Sequence, residues 1–500
     1  MPRIPLLSGT RLVVVNAGDD DVVVRPPPPR EALADAGAAV REALHFPLAG
    51  PPLEELAREA RRATVLVEPP ALPIPSSERD PRQLAIGAAV DELERLGVPS
   101  GYQTILVAGG LARRAGQSEL AALVTPGFAR RFHGHVAVHD AEDPRLVELA
   151  TDDAAVARIH PALVETDLVV VVTAAESVLH GGPATFLAAA DPGTAAAAAG
   201  GASLLETAGS DGWRLATALE RALAQRVPLL GASLVLNHPR VSGALQGYPY
   251  EQEAVERVAR SPLRRLFALA PGPLRVRVLR SLPLELSAAA AFAGRPSVAH
   301  AEALLRGVEL RGAELNGRLD AICIGIPRAT PYLPRERPNP LLAAYLGLGL
   351  ALRLWRDAFP LAEGGTAILL HRFLRHFTHP TQQPYRAFFH AVRTGRDAAA
   401  LQYGAEAAAA DERAIEAYRA GRGCHPRAPF ADWSACLPAL ERIGAVVVAG
   451  CRDAVAARQL GFVPAHGIGA ALEMATGRAG RPPRVGFLLA PPYFPLRVRV

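Results

Sequence analysis

The sequence predicts a two-domain α/β protein built from mostly parallel sheets flanked by helices. The 500 residues exceed what one hydrophobic core usually serves, which favours two domains. Short runs rich in β-branched residues alternate with stretches rich in Ala, Leu, Glu and Arg, which are typical of helices. The strand-like runs are continuously apolar, as expected for strands covered on both faces.

Composition narrows the class of protein. Half of the residues are hydrophobic and 21% are charged, which is a globular balance. All 54 basic residues are arginines, and because they are scattered among acidic residues the net charge of +5 indicates solvated helix faces and no nucleic-acid partner. The four cysteines show no paired spacing, which argues against disulfides and a zinc cluster and fits a cytoplasmic location.

Nothing in the sequence predicts a membrane segment. The N-terminus shows no long apolar stretch followed by a small-residue cleavage site, so no secretory signal is expected. The longest apolar stretch, residues 341–352, ends at Arg353 and is too short to span a bilayer. It is predicted to form a buried helix, and no membrane partner is expected.

The N-terminal residues 1–34 are predicted to form an extension. Four prolines follow Arg25, and proline lacks the amide donor of helices and central strands. Residues 25–30 should therefore be a stiff surface connector.

The first domain is predicted over residues 35–285. Its strands and helices alternate along the chain, with strands at 64–67, 104–108, 167–173 and 233–237 and helices at 82–96 and 117–124.

The second domain is predicted over residues 286–500. Its helices are expected at 298–306 and 341–358, and its strands at 320–325, 367–370, 445–449 and 485–489.

Several local strings suggest a known architecture when taken in order. A strand, a glycine turn and a helix start lie in residues 106–120, and His139-Asp140 follows. The strand from Asp167 ends in the string Glu176 to Thr185, which contains Gly181-Gly182. Over roughly residues 35 to 495, this order resembles the nickel-pincer lactate racemase family, in a branch with degenerate catalytic motifs.

The resemblance implies a definite chemistry for the family. Its members racemise or epimerise 2-hydroxy acids by hydride transfer to a nickel pincer cofactor. A lysine anchors that cofactor covalently, a histidine ligates nickel, and two further histidines exchange the hydroxyl proton. An arginine and other polar groups hold the substrate carboxylate.

This sequence departs from the family pattern at those positions. Ala112 stands in place of one histidine, Val178 stands in place of the other unless a shifted alignment places His180 there, and Ala184 stands in place of the lysine. The chain contains no lysine, and His238 is the first histidine after His180. No cofactor is therefore expected.

A small set of residues remains as candidates for a site. His180 and Glu176 are the candidate acid and base, and Arg79 or Arg82 is the candidate carboxylate clamp. The amides of Gly181 and Gly182, which follow a buried strand, are candidates for binding an anion. The expected ligand is a small carboxylate or another anion.

Histidines elsewhere fit no metal motif. His133, His135 and His139 would share one face of a strand, but no partner aspartate motif accompanies them, so surface or turn roles are favoured. His371, His376, His379 and His390 are irregularly spaced.

Three hypotheses of function follow. The first is a divergent racemase-family homologue that retains a carboxylate-binding or anion-binding cleft but has lost covalent nickel-pincer catalysis. The second is an active racemase or epimerase of hydroxy acids with a rearranged site. The third is a non-catalytic interaction or regulatory protein. Oligomeric state and ligand identity stay open.

Overall fold

The computed structural model describes residues 3–70, 80–152, 156–197, 201–328, 339–375, 377, 379–395 and 397–500. Its strands, in chain order, are β1 Arg3–Ser8, β2 Arg11–Asn16, β3 Val22–Val24, β4 Ala63–Val67, β5 Gln103–Val107, β6 His135–Val138, β7 Val147–Ala150, β8 Val156–Ile159, β9 Leu168–Ala174, β10 Leu229–Leu236, β11 Arg240–Val241, β12 Leu284–Glu285, β13 Ala288–Gly294, β14 Ala313–Asn316, β15 Leu319–Gly325, β16 Trp355–Arg356, β17 Leu361–Leu370, β18 Ala445–Ala449, β19 Val463–Ala465, β20 Val485–Leu488 and β21 Leu496–Arg499.

Helices connect most of these strands. They are α1 Ala36–His45, α2 Leu53–Ala57, α3 Pro81–Arg95, α4 Gln117–Leu120, α5 Pro126–Arg131, α6 Ala184–Ala188, α7 Pro192–Ala197, α8 Asp211–Ala224, α9 Gln252–Arg260, α10 Leu263–Leu269, α11 Gly272–Arg280, α12 Pro296–Arg311, α13 Pro340–Ala344, α14 Gln383–Thr394, α15 Ala398–Ala409, α16 Glu412–Arg419, α17 Ala428–Leu440, α18 Ala454–Gln459 and α19 Ile468–Ala479.

A six-stranded sheet forms the centre of the first domain, in the order β13-β10-β9-β4-β5-β6. All neighbours are parallel except β13, which runs antiparallel to β10. Helices α1 and α12 pack against β13 and β10, and α3 packs against β4 and β9. The continuously apolar strands are thus covered by helices, as their sequences predict.

The second domain contains a parallel sheet in the order β19-β18-β17-β15-β20-β3. Its edge strand β3 comes from the N-terminus, with Val22 paired to Gly486 and Val24 to Leu488. The β1-β2 hairpin also contacts this domain, through β15. The N-terminal residues therefore precede the first domain in sequence but pack on the second in space.

Within the described residues, three hydrophobic clusters make up the core. One runs from the α3 face of the first sheet into the second domain, where Leu346 and Leu350 are buried. A second cluster packs α6 and α8 on the opposite face of the first sheet. A third packs the β1-β2 hairpin and α19 on the second sheet. Because the first cluster is shared, the facing surfaces of the two domains hold each other in place.

The mixed α/β architecture is confirmed, and two predicted helices are wrong in detail. The helix expected over 117–124 ends at Leu120. The expected helix over 341–358 consists of α13, a π-helical segment Tyr345–Leu350 and a short 3-10 turn that ends at Arg353. The chain then enters β16. Two glycines, Gly347 and Gly349, lie in the wide π-helical segment, which is a form often found at functional sites.

None of the helices in the described part of the chain combines the length and apolarity needed to cross a membrane.

Candidate functional site

A cavity of about 380 Å³ lies between the two domains. On the first domain it is bounded by the carboxyl ends of β4 and β5 and by the loop around His180, and on the second by the π-helical segment and α17. Open parallel sheets place ligands at this edge. We call this cavity the cleft; its polar lining residues are Glu68, Arg113, Arg114, Glu119, His180, Tyr345, Arg353, Tyr385, Cys424 and Asp432.

Arg353 is the most deeply buried cation that lines the cleft, with 1% of its surface exposed. Its Nη1 donates to the Ala435 carbonyl at 3.0 Å and its Nη2 to the Gly201 carbonyl at 2.5 Å. Its Nε has no hydrogen-bond partner, and no carboxylate among the described residues forms an ion pair with it. Burial lowers the pKa of Arg353 to about 10, so the group is charged at neutral pH.

Glu68 lies directly after β4 and lines the same cleft. Its Oε2 accepts hydrogen bonds from the Gly181 amide at 2.9 Å and the Thr185 hydroxyl at 3.3 Å. Burial raises the pKa of Glu68 to about 8, and the nearby Glu176 adds to that rise. At neutral pH the group is mostly an uncharged carboxylic acid, which can both donate and accept a hydrogen bond.

His180 faces the cleft from the loop that follows β9. Its Nδ1 lies 2.8 Å from the Ser177 hydroxyl, which also accepts the Leu179 amide at 3.2 Å. Burial lowers the pKa of His180 to about 4, and Arg353 and His300 contribute to that lowering. The ring is therefore neutral at pH 7, and it lines the same cleft as Arg353.

Glu176 and Arg82 form an ion pair beside the cleft. Arg82 Nη1 lies 3.2 Å from Glu176 Oε1, and Arg82 Nη2 lies 2.6 Å from Asp80 Oδ2. The guanidinium of Arg311, buried to 4% exposure, adds a second positive charge near Glu176. Neither Glu176 nor Arg82 lines the cleft; Arg82 and Glu68 both border a small adjoining cavity of about 20 Å³. The other predicted clamp, Arg79, lies outside the described residues.

The two glycines of the His180 loop are packed against His300. Both have positive φ, +89° at Gly181 and +55° at Gly182, and a Cβ at either position would collide with the His300 ring. The Gly181 amide donates to Glu68, and the Gly182 amide donates to the Thr173 hydroxyl at 2.9 Å. Both amides are thus engaged within the protein, and an anion would have to displace these partners to reach them.

The residues of the cleft do not fit a covalently attached nickel pincer. Ala112 and Ala184 line the cleft with methyl groups, and Val178 is buried in the core. No amine is available for attachment, because the chain has no lysine. His238 lies among Tyr250 and Phe494, away from the cleft lining, and no three His, Cys, Asp or Glu side chains within the described ranges are grouped as metal ligands would be.

The other histidine candidates do not meet at one point. His133 and His135 are exposed, whereas His139 is buried with its Nε2 2.9 Å from the Ala190 carbonyl. His371 is buried beside Phe373, and His379 caps a short turn through Thr381. His376 lies outside the described residues.

A larger and more open groove of about 730 Å³ crosses the amino-terminal halves of β4, β5 and β6. Three of its arginines are paired. Arg145 Nη2 lies 2.8 Å from Asp143, and Arg419 and Arg114 lie 3.1 Å and 3.6 Å from Asp140. These carboxylates balance the positive charge of three arginines in the groove, whereas no carboxylate of the described residues pairs with Arg353 in the cleft.

Two principal residues of the cleft are not identified by the sequence reasoning. The position of Glu68 in the sequence could have identified it as a cleft residue, because it is the first residue after a buried parallel strand. No sequence pattern identifies Arg353 as a cleft residue, because it appears only as the end of an apolar stretch. Its position depends on the fold of the π-helical segment against α17.

The geometry defines a mixed α/β protein with two mostly parallel sheets flanked by helices and a cavity between them. Residues 9–180 match the lactate racemase N-terminal domain family. No curated protein matches the chain. Among solved structures, the lactate racemase apoprotein from Thermoanaerobacterium thermosaccharolyticum matches with a TM-score of 0.63 at 15% identity, over 100% of both chains. A protein from Thermotoga maritima matches at 11% identity over 87% of this chain and 93% of its own, with a TM-score of 0.48.

The family and the fold agree. The resemblance predicted from the sequence strings is confirmed by the family-model match over residues 9–180, and the fold is similar to that of a solved lactate racemase apoprotein.

Proposed function

We propose that this protein binds a small carboxylate of the 2-hydroxy-acid class in the cleft, without covalent nickel-pincer catalysis. The observation that carries the proposal is the positive charge of Arg353, which no carboxylate within the described residues balances. In that part of the chain its buried guanidinium donates only to carbonyl oxygens, and its Nε has no hydrogen-bond partner. A buried charge without a counter-charge is costly, and a bound carboxylate would supply the missing negative charge.

The neighbouring groups suit such a ligand. Glu68 is mostly uncharged at neutral pH, so it would not repel a carboxylate, and its second oxygen can bond to a hydroxyl group. His180 is neutral as well. The rest of the wall is largely apolar, including Leu179, Leu346 and Leu350, and a cavity of about 380 Å³ has room for a small acid.

Thermal unfolding with lactate and with lactamide, its uncharged analogue, tests the binding proposal. Lactate should raise the melting temperature in proportion to RT ln(1 + [L]/Kd), and lactamide should not. Arg353→Gln should abolish the shift. Arg113→Gln is the matched control, because Arg113 also lines the cleft but is paired with Glu119. Equal shifts for both compounds, or none for a panel of hydroxy acids, would overturn the proposal.

The absence of covalent catalysis has its own test. The chain is produced in a host that makes the nickel pincer cofactor, and its intact mass is measured. We expect the mass of the unmodified chain, since Ala184 and the lysine-free sequence leave no anchoring amine. A covalent adduct would refute this part of the proposal.

A second candidate function is favoured by the pair Glu68 and His180. Their pKa values are displaced in opposite directions, to about 8 and about 4, which is the pattern of sites that divide acid and base roles. An isomerase would exchange the C2 hydrogen of a hydroxy acid with solvent. Incubation in deuterated water tests this: incorporation that is lost in both Glu68→Gln and His180→Gln would support the isomerase, and no incorporation would favour binding alone.

A further inference from the structure

The positive charge of the chain is concentrated in one segment. Between Glu256 and Glu285 there is no acidic residue, and this stretch contains seven arginines. The whole chain has a net charge of +5 while this segment alone contributes +7, so the rest of the chain is formally acidic. The arginines are Arg257, Arg260, Arg264, Arg265, Arg275, Arg277 and Arg280.

The same segment exposes large aliphatic side chains. Helices α10 and α11 follow each other across Ala270-Pro271, and we call this unit the arginine-leucine hairpin. Leu263, Leu266 and Leu269 are spaced three residues apart, on one face of α10, and are 64%, 66% and 83% exposed. On α11, Leu274 and Val278 are 49% and 40% exposed. Exposed large aliphatic side chains that are grouped on two consecutive helices mark an interaction surface more often than scattered single residues do.

The hairpin is fixed to the body of the protein. The guanidinium of Arg275 is buried, and its Nη1 donates to the Ala268 and Ala270 carbonyls at 3.1 Å and 2.7 Å. Its Nε donates to the Thr10 hydroxyl at 3.3 Å, which ties α11 to the turn of the β1-β2 hairpin. The exposed leucines are therefore presented by an ordered unit.

Positive charge continues from the hairpin onto the adjoining surface. Burial lowers the pKa of Arg372, and the positive charges of Arg11, Arg452 and Arg275 lower it further. Four guanidinium groups thus lie within electrostatic reach of one another at the base of the hairpin, and Arg372 Nε has no hydrogen-bond partner in the described part of the chain. Contact with a surface rich in negative charge would reduce the repulsion among these four arginines.

We propose that the arginine-leucine hairpin binds the surface of a bilayer that contains anionic lipids. Leucines would enter the boundary between headgroups and acyl chains, and arginines would contact the lipid phosphates. A second copy of the chain fits less well, because a two-fold contact would bring the arginines of both copies together. The proposal departs from the sequence expectation of no membrane partner, which rested on the lack of a spanning segment.

Vesicle co-sedimentation of the full-length protein tests the proposal. It should bind vesicles of phosphatidylcholine with phosphatidylserine, bind phosphatidylcholine alone weakly, and bind less at high salt because exposed charges are screened. The variant R265Q/R277Q/R280Q should lose roughly tenfold or more in affinity for the anionic vesicles. The variant L266S/L269S should lose about tenfold at both low and high salt, because insertion depends on apolar area.

Helix α12 provides matched controls for both variants. Leu305 is 40% exposed and Arg306 pairs with Glu309 on the surface, so Leu305→Ser and Arg306→Gln change the same residue types elsewhere. Both should bind vesicles like the parent, and circular dichroism should show all variants folded. Arg353→Gln should also bind normally, which separates this proposal from that for the cleft.

Three outcomes would overturn the proposal. Failure to bind anionic vesicles is the first. The second is unchanged binding by L266S/L269S, which would show adsorption by charge alone. The third is light scattering that shows a dimer of the parent and a monomer of L266S/L269S, which would assign the surface to a second copy.

Discussion

Three arginines near the His180 loop differ in the negative charge that balances them. Arg82 forms ion pairs with Glu176 and Asp80. Arg311 donates to the Gly307 and Ala175 carbonyls and lies within electrostatic reach of Glu176. Arg353 also donates to carbonyl oxygens, but within the described residues no carboxylate balances its charge. Arg82 and Arg311 therefore have a counter-charge inside the protein, whereas our proposal assigns the counter-charge of Arg353 to a ligand.

Of the substitutions considered, replacement of Glu176 should lower the free energy of unfolding the most. Glu176→Gln leaves Arg82 and Arg311 with less negative charge in a buried setting, and we expect the free energy of unfolding to fall by about 3–5 kcal/mol. Urea unfolding measures it. Glu314→Gln is the control, because Glu314 pairs with Arg497 and Arg499 on the surface and should cost less than about 1 kcal/mol. Similar losses in the two variants would contradict the structural role assigned to Glu176.

The pH dependence of stability tests the uncharged state of Glu68. Its pKa is raised to about 8 in the folded protein, so its contribution is fully present at low pH and is lost as pH rises toward 8. The parent should lose roughly 3 kcal/mol more than Glu68→Gln between about pH 5 and pH 8, with a slope below about 1.4 kcal/mol per pH unit. Parallel pH profiles of the two proteins would show that Glu68 is ionised in the cleft.

Replacement of Arg353 should matter less for folding than for binding. Arg353→Met removes an unbalanced buried charge but leaves the Gly201 and Ala435 carbonyls without their donor, and these effects oppose each other. We expect a change of about 1–2 kcal/mol in the free energy of unfolding, together with complete loss of the thermal shift by lactate. A loss as large as that of Glu176→Gln would place Arg353 among the structural arginines.

Replacement of Arg113 should change the free energy of unfolding and the lactate response the least. This residue lines the cleft but is partly exposed and paired with Glu119. Arg113→Gln should change the free energy of unfolding by less than about 1 kcal/mol and leave the lactate response intact. A lost response with normal stability would move the anion site from Arg353 toward the rim of the cleft.

Much of the fold follows from local sequence pattern. The strands at Ala63–Val67, Leu168–Ala174 and Ala445–Ala449 are apolar runs between helix-forming stretches, and their boundaries agree with the prediction within one residue. Such runs are buried on both faces, so the pattern of a single segment determines its environment. His180 likewise lies at the predicted edge, since it follows a strand of the first sheet.

The features that were missed depend on contacts distant in sequence. Arg353 becomes a cleft residue only when the π-helical segment packs against α17, and its charge is unbalanced only because no carboxylate of the described chain reaches it. The amides of Gly181 and Gly182 match an anion-binding pattern locally, yet Glu68 and Thr173 engage them. Local pattern identifies groups that can bind an anion, and tertiary contacts decide which of them are still available.

The edge strand β3 makes the second domain discontinuous along the chain. Val22–Val24 is synthesised before the first domain, while its partner Val485–Leu488 is synthesised after it. The second sheet therefore cannot be completed until Val485–Leu488 has been made, whereas every strand of the first sheet has been made by Gly294. The order of synthesis favours folding of the first domain first, and β3 has to wait for its partner strand while that domain folds.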